Sequence, residues 1–295
     1  LKANKIKEKE MDIYGMTVSD LPQNLKSKIE VLSDGDSLNK KIANEFCDLL
    51  EAKQAKNEML TVICPVGPLD YSYFAAEVKK RGLSCNNLRT INMDEYLDDN
   101  DQNIPETHPL SFRRFMNEGF FFNLDEKDRP APENIIFPDP DAPEKVTELI
   151  DSIGGADICW AGFGITGHVA FNDPPQMTGE PEDLDSFRNC KTRKVTICPM
   201  ATAQMAMGGT NGNLEILPTR AITVGMYEML KSKKFHLTFM RNWHAGLWRR
   251  ALLGPVTSEF PGSLLQEHGN LEVTMTEHAA APPLVNTAQA TGEEK

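Results

Sequence analysis

The chain has 295 residues, 40% hydrophobic and 25% charged, which excludes a stapled mini-protein, a wholly disordered polymer and a membrane bundle. Thirty-one Lys and Arg against 43 Asp and Glu leave a net charge of −12, so a broad nucleic-acid surface is excluded and any anionic ligand needs a local cluster of cations. Six cysteines with no Cys-x-x-Cys pair read as buried free thiols rather than a disulfide framework or zinc site. No apolar run approaches the roughly 18 residues of a membrane helix, and the lysine-rich start lacks the apolar centre of a signal peptide, so a cytoplasmic location is expected.

In chain order, residues 1–35 read as an N-terminal extension without a firm period. From Leu38, the apolar set Leu38, Ile42, Phe46, Leu49 and Leu50 marks one face of a helix. Short β-branched or apolar runs at 60–64, 88–93, 156–161, 194–198, 221–226, 236–240 and 271–275 predict strands. Helical segments are predicted at 71–80, 109–118, 143–153, 227–232 and 244–253. Strands alternating with helices predict an α/β fold whose mostly parallel sheet is covered on both faces. No interior linker or repeat divides the chain, so a single α/β domain is expected over 36–278, followed by a loose tail over 279–295.

Residues Gly162-Phe-Gly-Ile-Thr-Gly167 form a Gly-x-Gly-x-x-Gly turn directly after a predicted strand. A dinucleotide-binding turn would open a long helix, but Pro174-Pro175 arrive seven residues after the third glycine. The glycines still imply a sharp turn or close ligand approach at a strand's carboxyl end, where open α/β sheets place their sites. His168 follows at once and Asp173 comes five residues later: an imidazole that moves protons near neutral pH, with a carboxylate to fix its tautomer. A second candidate, Asn92-Met-Asp94-Glu95-Tyr96, ends another predicted strand; Asp94 is a candidate general base, or 94–101 is only an acidic surface loop. A calcium loop starting at Asp99 fails, since its sixth position is Ile104 and its twelfth Leu110.

The turn Cys64-Pro-Val-Gly67-Pro-Leu-Asp70 leads into a helix whose free amides could receive an anion, although Pro68 removes one donor and Asp70 is itself a plausible cap. Arg193, Lys194, Arg241 and His244 stand at strand ends and are the candidate cations.

Three stretches together resemble the glucosamine-6-phosphate deaminase (isomerase) family, within the superfamily that also holds the 6-phosphogluconolactonases. They are Asn92-Met-Asp-Glu-Tyr96 with His108-Pro-Leu-Ser-Phe112, Gly164-Ile-Thr-Gly-His168-Val-Ala-Phe-Asn-Asp-Pro174, and Pro218-Thr-Arg-Ala-Ile-Thr-Val-Gly225. The resemblance spans about residues 38–275 and implies a three-layer α/β fold of modified Rossmann type. It implies that His168 opens the sugar ring, that Asp94 shuttles a proton between C2 and C1 through an enol-type intermediate, and that Asp173 orients His168. Gly67, Glu95, Gly164, Thr166, Gly167, Asn172, Arg193, Arg241 and His244 are expected to surround the substrate, a small-molecule sugar or sugar phosphate. The implied reaction needs no cofactor, metal or nucleotide, and no nucleic-acid or membrane partner; a homo-oligomer is compatible with it. Two alternatives stand beside this reading: a sugar-phosphate-binding protein without turnover, and a 6-phosphogluconolactonase-type hydrolase.

The departures from the family pattern are specific. Thr166 stands where the family has Asp and Asp173 where it has Glu, so His168 is expected to be less basic and less firmly oriented. The family's Gly-Gly-Thr-Pro-like turn reads Gly67-Pro-Leu-Asp70, its lysine falls on His244, and a clamp arginine falls near Met207. Each lost charge-assisted contact to a phosphate is worth about 1.5–3 kcal/mol.

Overall fold

The computed structural model describes residues 13–283. The parts of the expected extension and tail at 1–12 and 284–295 lie outside the described residues.

Among the described residues ten strands form two sheets. They are β1 (Ile29–Leu32), β2 (Leu60–Cys64), β3 (Leu88–Asn92), β4 (Asp94–Leu97), β5 (Ile135–Ile136), β6 (Ile158–Ala161), β7 (Arg193–Thr196), β8 (Arg220–Thr223), β9 (Phe235–Phe239) and β10 (Leu271–Thr276). Seven pair in parallel in the order β1-β10-β9-β6-β2-β3-β5. The other three make an antiparallel sheet, β4-β8-β7.

Alternation along the central strands builds the three layers. Leu60, Val62 and Cys64 of β2, with Ile158 and Trp160 of β6, enter one core. Ile63, Cys159 and Ala161 enter the core on the opposite face. The first core is closed by α1 (Gly35–Gln54) and α2 (Ser72–Arg81), together with the end of α3 (Phe112–Gly119). The second is closed by α4 (Glu144–Ile153), α6 (Met226–Leu230) and α7 (His244–Leu253); α5 (Pro199–Gly208) packs with the small sheet instead. Helix α1 starts where the Asp34 side chain accepts the Ser37 amide at 2.7 Å and buries the predicted stripe Leu38, Ile42, Phe46 and Leu50. Helix α2 ends on Gly82, whose φ of 65° is left-handed.

Among the elements that differ from the sequence reading are β1, β4 and α5. Strand β1 lies within the stretch read as an extension, yet it pairs with β10 from Ile29↔Val273 to Leu32↔Thr276. Strand β4 occupies the start of the segment that also reads as an acidic loop; it is buried because the charge of Glu95 is met by donors rather than by water. Helix α5 was not expected at all. Its signal is Pro199 at the first helical position, with Cys198 as the cap.

Candidate active site

The sheet order makes the site. Strands β9, β6, β2 and β3 are neighbours, and because they are parallel their carboxyl ends lie along one edge. Those ends lead into His244, the loop 162–173, Gly67 and Asp94 respectively.

The loop 162–173 is shaped by its glycines and bolted at both ends. Gly167 has φ +79°, and a Cβ there would fall 2.5 Å from the Phe260 ring. At Gly164 a Cβ would sit 1.8 Å from His168 Nε2, so the imidazole lies directly over that residue's backbone. The Gly167 amide donates to Gly164 O at 2.8 Å and the Gly164 amide to His168 O at 3.1 Å. Downstream, the Phe171 amide donates to Thr223 Oγ1 at 3.0 Å. Asn172 Nδ2 donates to Val169 O and Val224 O, both at 2.9 Å.

These last contacts connect the loop to Asp94. Asp94 faces Thr223 across the β4-β8 ladder, and the Val224 amide donates to Met93 O at 2.7 Å. The histidine loop therefore seats on the strand that carries Asp94's ladder partner. Asp94 is 6% exposed, and its carboxylate has no hydrogen-bond partner among the described residues. Burial, with the charge of neighbouring Glu95, holds its carboxyl well above the usual carboxylate range.

His168 Nδ1 lies 2.7 Å from Asp173 Oδ1. The Thr166 hydroxyl donates to the same oxygen at 2.8 Å and lies 2.8 Å from Nδ1. Burial alone would raise Asp173; the charge and hydrogen bond of His168, then the hydrogen bonds of Thr166 and Cys198, outweigh it and hold the carboxyl below its ordinary value. An ionised carboxylate only accepts, so the proton between the two groups sits on Nδ1 and leaves Nε2 as the basic nitrogen. The shorter Asp173 still reaches the ring, and Thr166 braces the pair from the side.

Several expected substrate contacts are structural instead. Glu95 is fully buried and accepts the Ser111 hydroxyl at 2.9 Å, the Phe112 and Arg113 amides at 3.0 Å, and Arg113 Nε at 3.2 Å. It holds the amino end of α3 rather than a sugar. Asn172 is fully buried and locks the loop onto β8. Arg193 pairs with Glu180 through two nitrogens and gives Nη1 to Asn172 Oδ1 at 2.8 Å, so its guanidinium is engaged. At the Gly67 turn, Asp70 Oδ1 accepts the Ser72 amide at 3.0 Å and occupies the start of α2, so no open anion cradle forms. A Cβ at Gly67 would meet nothing within 4 Å, whereas one at Gly162 would fall 2.7 Å from Pro68 Cδ. The close approach between the β2 and β6 turns thus needs Gly162.

His244 is buried, and its Nδ1 accepts the Met240 and Arg241 amides at 3.2 and 3.1 Å. Burial pushes its imidazole down to about 3, so it is neutral and caps the lead-in to α7 instead of supplying a positive charge. Arg241 is exposed at the same strand end.

The sequence reading missed Cys198, whose thiol lies 3.3 Å from Asp173 Oδ1 and whose amide lies 3.4 Å from Oδ2. It also missed Gln204 of α5, whose Oε1 accepts the Ile165 amide at 2.7 Å. Pro199 signals the helix start and Cys198 its cap, but only the tertiary contacts bring both Cys198 and Gln204 to the loop. A cavity of about 820 Å³ borders the loop, lined by Thr166, Met177, Met200, Arg250 and Phe260 among others.

Fold and site together define a class: a three-layer α/β protein with a histidine–aspartate pair and a buried lone acid on the carboxyl edge of a parallel sheet. No protein-family model matches the chain. It is 30% identical to the glucosamine-6-phosphate deaminase of Exiguobacterium sibiricum, over 85% of this chain and 92% of that one. It is 28% identical to glucosamine-6-phosphate deaminase 1 of Bacillus subtilis, over 68% and 76% of the two chains. Among solved structures, a monomeric glucosamine-6-phosphate deaminase superposes with a TM-score of 0.72 at 23% identity, covering 86% of this chain and 98% of that one. A 6-phosphogluconolactonase from Thermotoga maritima superposes with a TM-score of 0.57 at 16% identity, over 84% and 98%. The chain belongs to the glucosamine-6-phosphate deaminase family. Among the described residues no helix is long and apolar enough to cross a membrane.

Proposed function

We propose that the protein is an aldose–ketose isomerase and deaminase acting on an amino sugar of the glucosamine 6-phosphate type. The observation that carries this reading is the pairing of two unlike proton carriers on one sheet edge. Asp94 is buried and held high, a carboxyl suited to taking a proton from carbon α to a carbonyl. His168 has Nε2 available and Nδ1 fixed by Asp173, which suits transfer between the ring and anomeric oxygens. In this mechanism His168 opens the ring, Asp94 carries the C2 proton to C1, and water displaces the amine at C2 to give ammonia and a ketose.

Arg241 is the cation this reading assigns to a negatively charged end of the sugar, since His244 is neutral and Arg193 is paired. The relatives' names support the reaction class, and the lactonase structures support only the fold.

The test is ammonia and ketose release from glucosamine 6-phosphate, with exchange of the C2 proton followed by NMR in deuterated water. Asp94→Asn is expected to abolish the exchange while the protein stays folded. Exchange at the wild-type rate in that variant overturns the assignment. Thermal stabilisation by the sugar without any product would make this a binding protein instead.

A further inference from the structure

Asp173 Oδ1 is crowded by three groups: His168 Nδ1 at 2.7 Å, the Thr166 hydroxyl at 2.8 Å and the Cys198 thiol at 3.3 Å. The Cys198 amide adds a longer contact to Oδ2 at 3.4 Å. Thr166 belongs to the glycine loop, but Cys198 belongs to the amino end of α5, where its sulfur also accepts the Ala201 amide at 3.4 Å. The same helix reaches the other end of the loop through Gln204, which takes the Ile165 amide. One helix therefore touches the histidine loop on both sides of the imidazole.

We propose that Thr166 and Cys198 are positioning residues for the His168–Asp173 pair, holding the carboxylate in one rotamer so that the imidazole bound to it presents Nε2 to the sugar in a single orientation. This rests on the reading of His168 as the ring-opening group. The ionised carboxylate by itself places the ring proton on Nδ1; the two further donors fix the carboxylate's rotamer, and with it the direction in which the bound ring turns Nε2. The Cys198 thiol stays a donor across the working range, because burial, aided by the charge of Asp173, pushes it up to about 11. Both side chains are buried and stand beside Asp173 rather than over Nε2, so they act through the pair.

The experiment is 15N NMR of histidine-labelled protein, read beside the steady-state kinetics of Thr166→Val, Cys198→Ala and the double variant. The wild type is expected to show His168 as the Nδ1–H tautomer. In the double variant the single Nδ1–H signal should broaden or split as the ring samples more than one orientation, and kcat should fall about 10–100-fold with KM within about twofold, the signature of a group acting on the chemical step. Thr166→Ser and Cys198→Ser, which keep a donor, should restore the single sharp signal and most of kcat. A double variant whose Nδ1–H signal is as sharp and as single as the wild type's overturns the proposal, whether or not kcat falls. Should the double variant not fold, Thr166→Val alone carries the same readout. If the wild type turns over no amino sugar, the functional reading fails, yet the 15N pattern still decides the positioning claim.

Discussion

Two histidine–carboxylate pairs in this molecule have the same separation and opposite fates. His168 Nδ1 lies 2.7 Å from Asp173, and His236 Nδ1 lies 2.7 Å from Glu45. In the second pair the other ring nitrogen is also bound, to Thr274 Oγ1 at 2.8 Å, and the imidazole is fully buried near the start of β9. Glu45 reaches it from α1 and also accepts Trp160 Nε1 at 2.9 Å and the Lys234 ammonium. Burial would raise Glu45, but the hydrogen bond and charge of His236, with the hydrogen bonds of Lys234 and Trp160, bring it down to about 2. Glu45, His236 and Glu272 approach one another as metal ligands do, yet Lys234 bridges both carboxylates and Lys41 stands 3.6 Å from Glu272, so the positive charge is already supplied. This network ties α1 to the sheet. What separates it from the first pair is the second nitrogen: His168 Nε2 has no hydrogen-bond partner among the described residues, and its loop lies where strands end. The short histidine–carboxylate distance is common to both pairs; the unoccupied second nitrogen on the sheet's carboxyl edge is what supports the role proposed for His168.

The sharpest way to break this comparison is to disable each pair in turn. His168→Gln is expected to lower kcat about 10²–10⁴-fold with little change in melting temperature, measured by ketose release and calorimetry. Glu45→Gln should do the reverse, costing about 3–5 kcal/mol of stability, as a buried charge pair does when one partner is removed, while kcat stays within about twofold. Equal kinetic effects from the two substitutions would erase the distinction drawn between them.

The Glu45 penalty also has a pH signature. Its folded value, about 2, lies below the ordinary 4.5, so its contribution is present above the ordinary value and is lost as pH falls towards 2. The stability gap between wild type and Glu45→Gln should therefore narrow across that acid range in urea titrations at stepped pH.

Asp94 carries the opposite sign and a smaller effect. Its carboxyl is raised above the ordinary 3.8, so stability associated with it is present below that value and is lost as pH rises through the raised one. Asp94→Asn should thus be more stable than wild type near neutral pH, by about 1–3 kcal/mol, with the gain disappearing below the ordinary value. A variant that lost activity and stability together would show Asp94 to be a packing residue. The smallest effect belongs to Arg241→Ala: KM for an anionic sugar should rise roughly tenfold, the loss of one exposed charge-assisted contact, while kcat is unchanged.

Most of the main sheet was legible because periodicity reports burial. The runs at 60–64, 88–93, 156–161, 236–240 and 271–275 are β2, β3, β6, β9 and β10 with small shifts at the ends, and the helix predicted at 244–253 is α7. What stayed hidden was what other parts of the chain complete. The acidic Asp94–Leu97 segment reads as solvated until Ser111, Phe112 and Arg113, more than a dozen residues on, donate to Glu95. Strand β1 is two-sided and short, and only β10 makes it a strand.

The site divides the same way. His168, Asp173 and Asp94 stood out because a glycine turn and strand ends announce themselves locally. Glu95, Asn172, Arg193 and His244 were read as substrate contacts because a polar side chain near a site looks alike whether it faces a ligand or a backbone amide. Each of the four turns out to be engaged with partners inside the protein, three of them distant in sequence or on another element.

By itself, then, the sequence determined the layered α/β architecture and the chemical types available at the sheet's carboxyl edge, since both depend on patterns within a few residues. Only the tertiary structure decided which histidine keeps a free nitrogen, which carboxyl is stripped of water and partners, and which cations are already neutralised. Those outcomes depend on desolvation and on hydrogen bonds closed between segments far apart in the chain, and no local pattern encodes them.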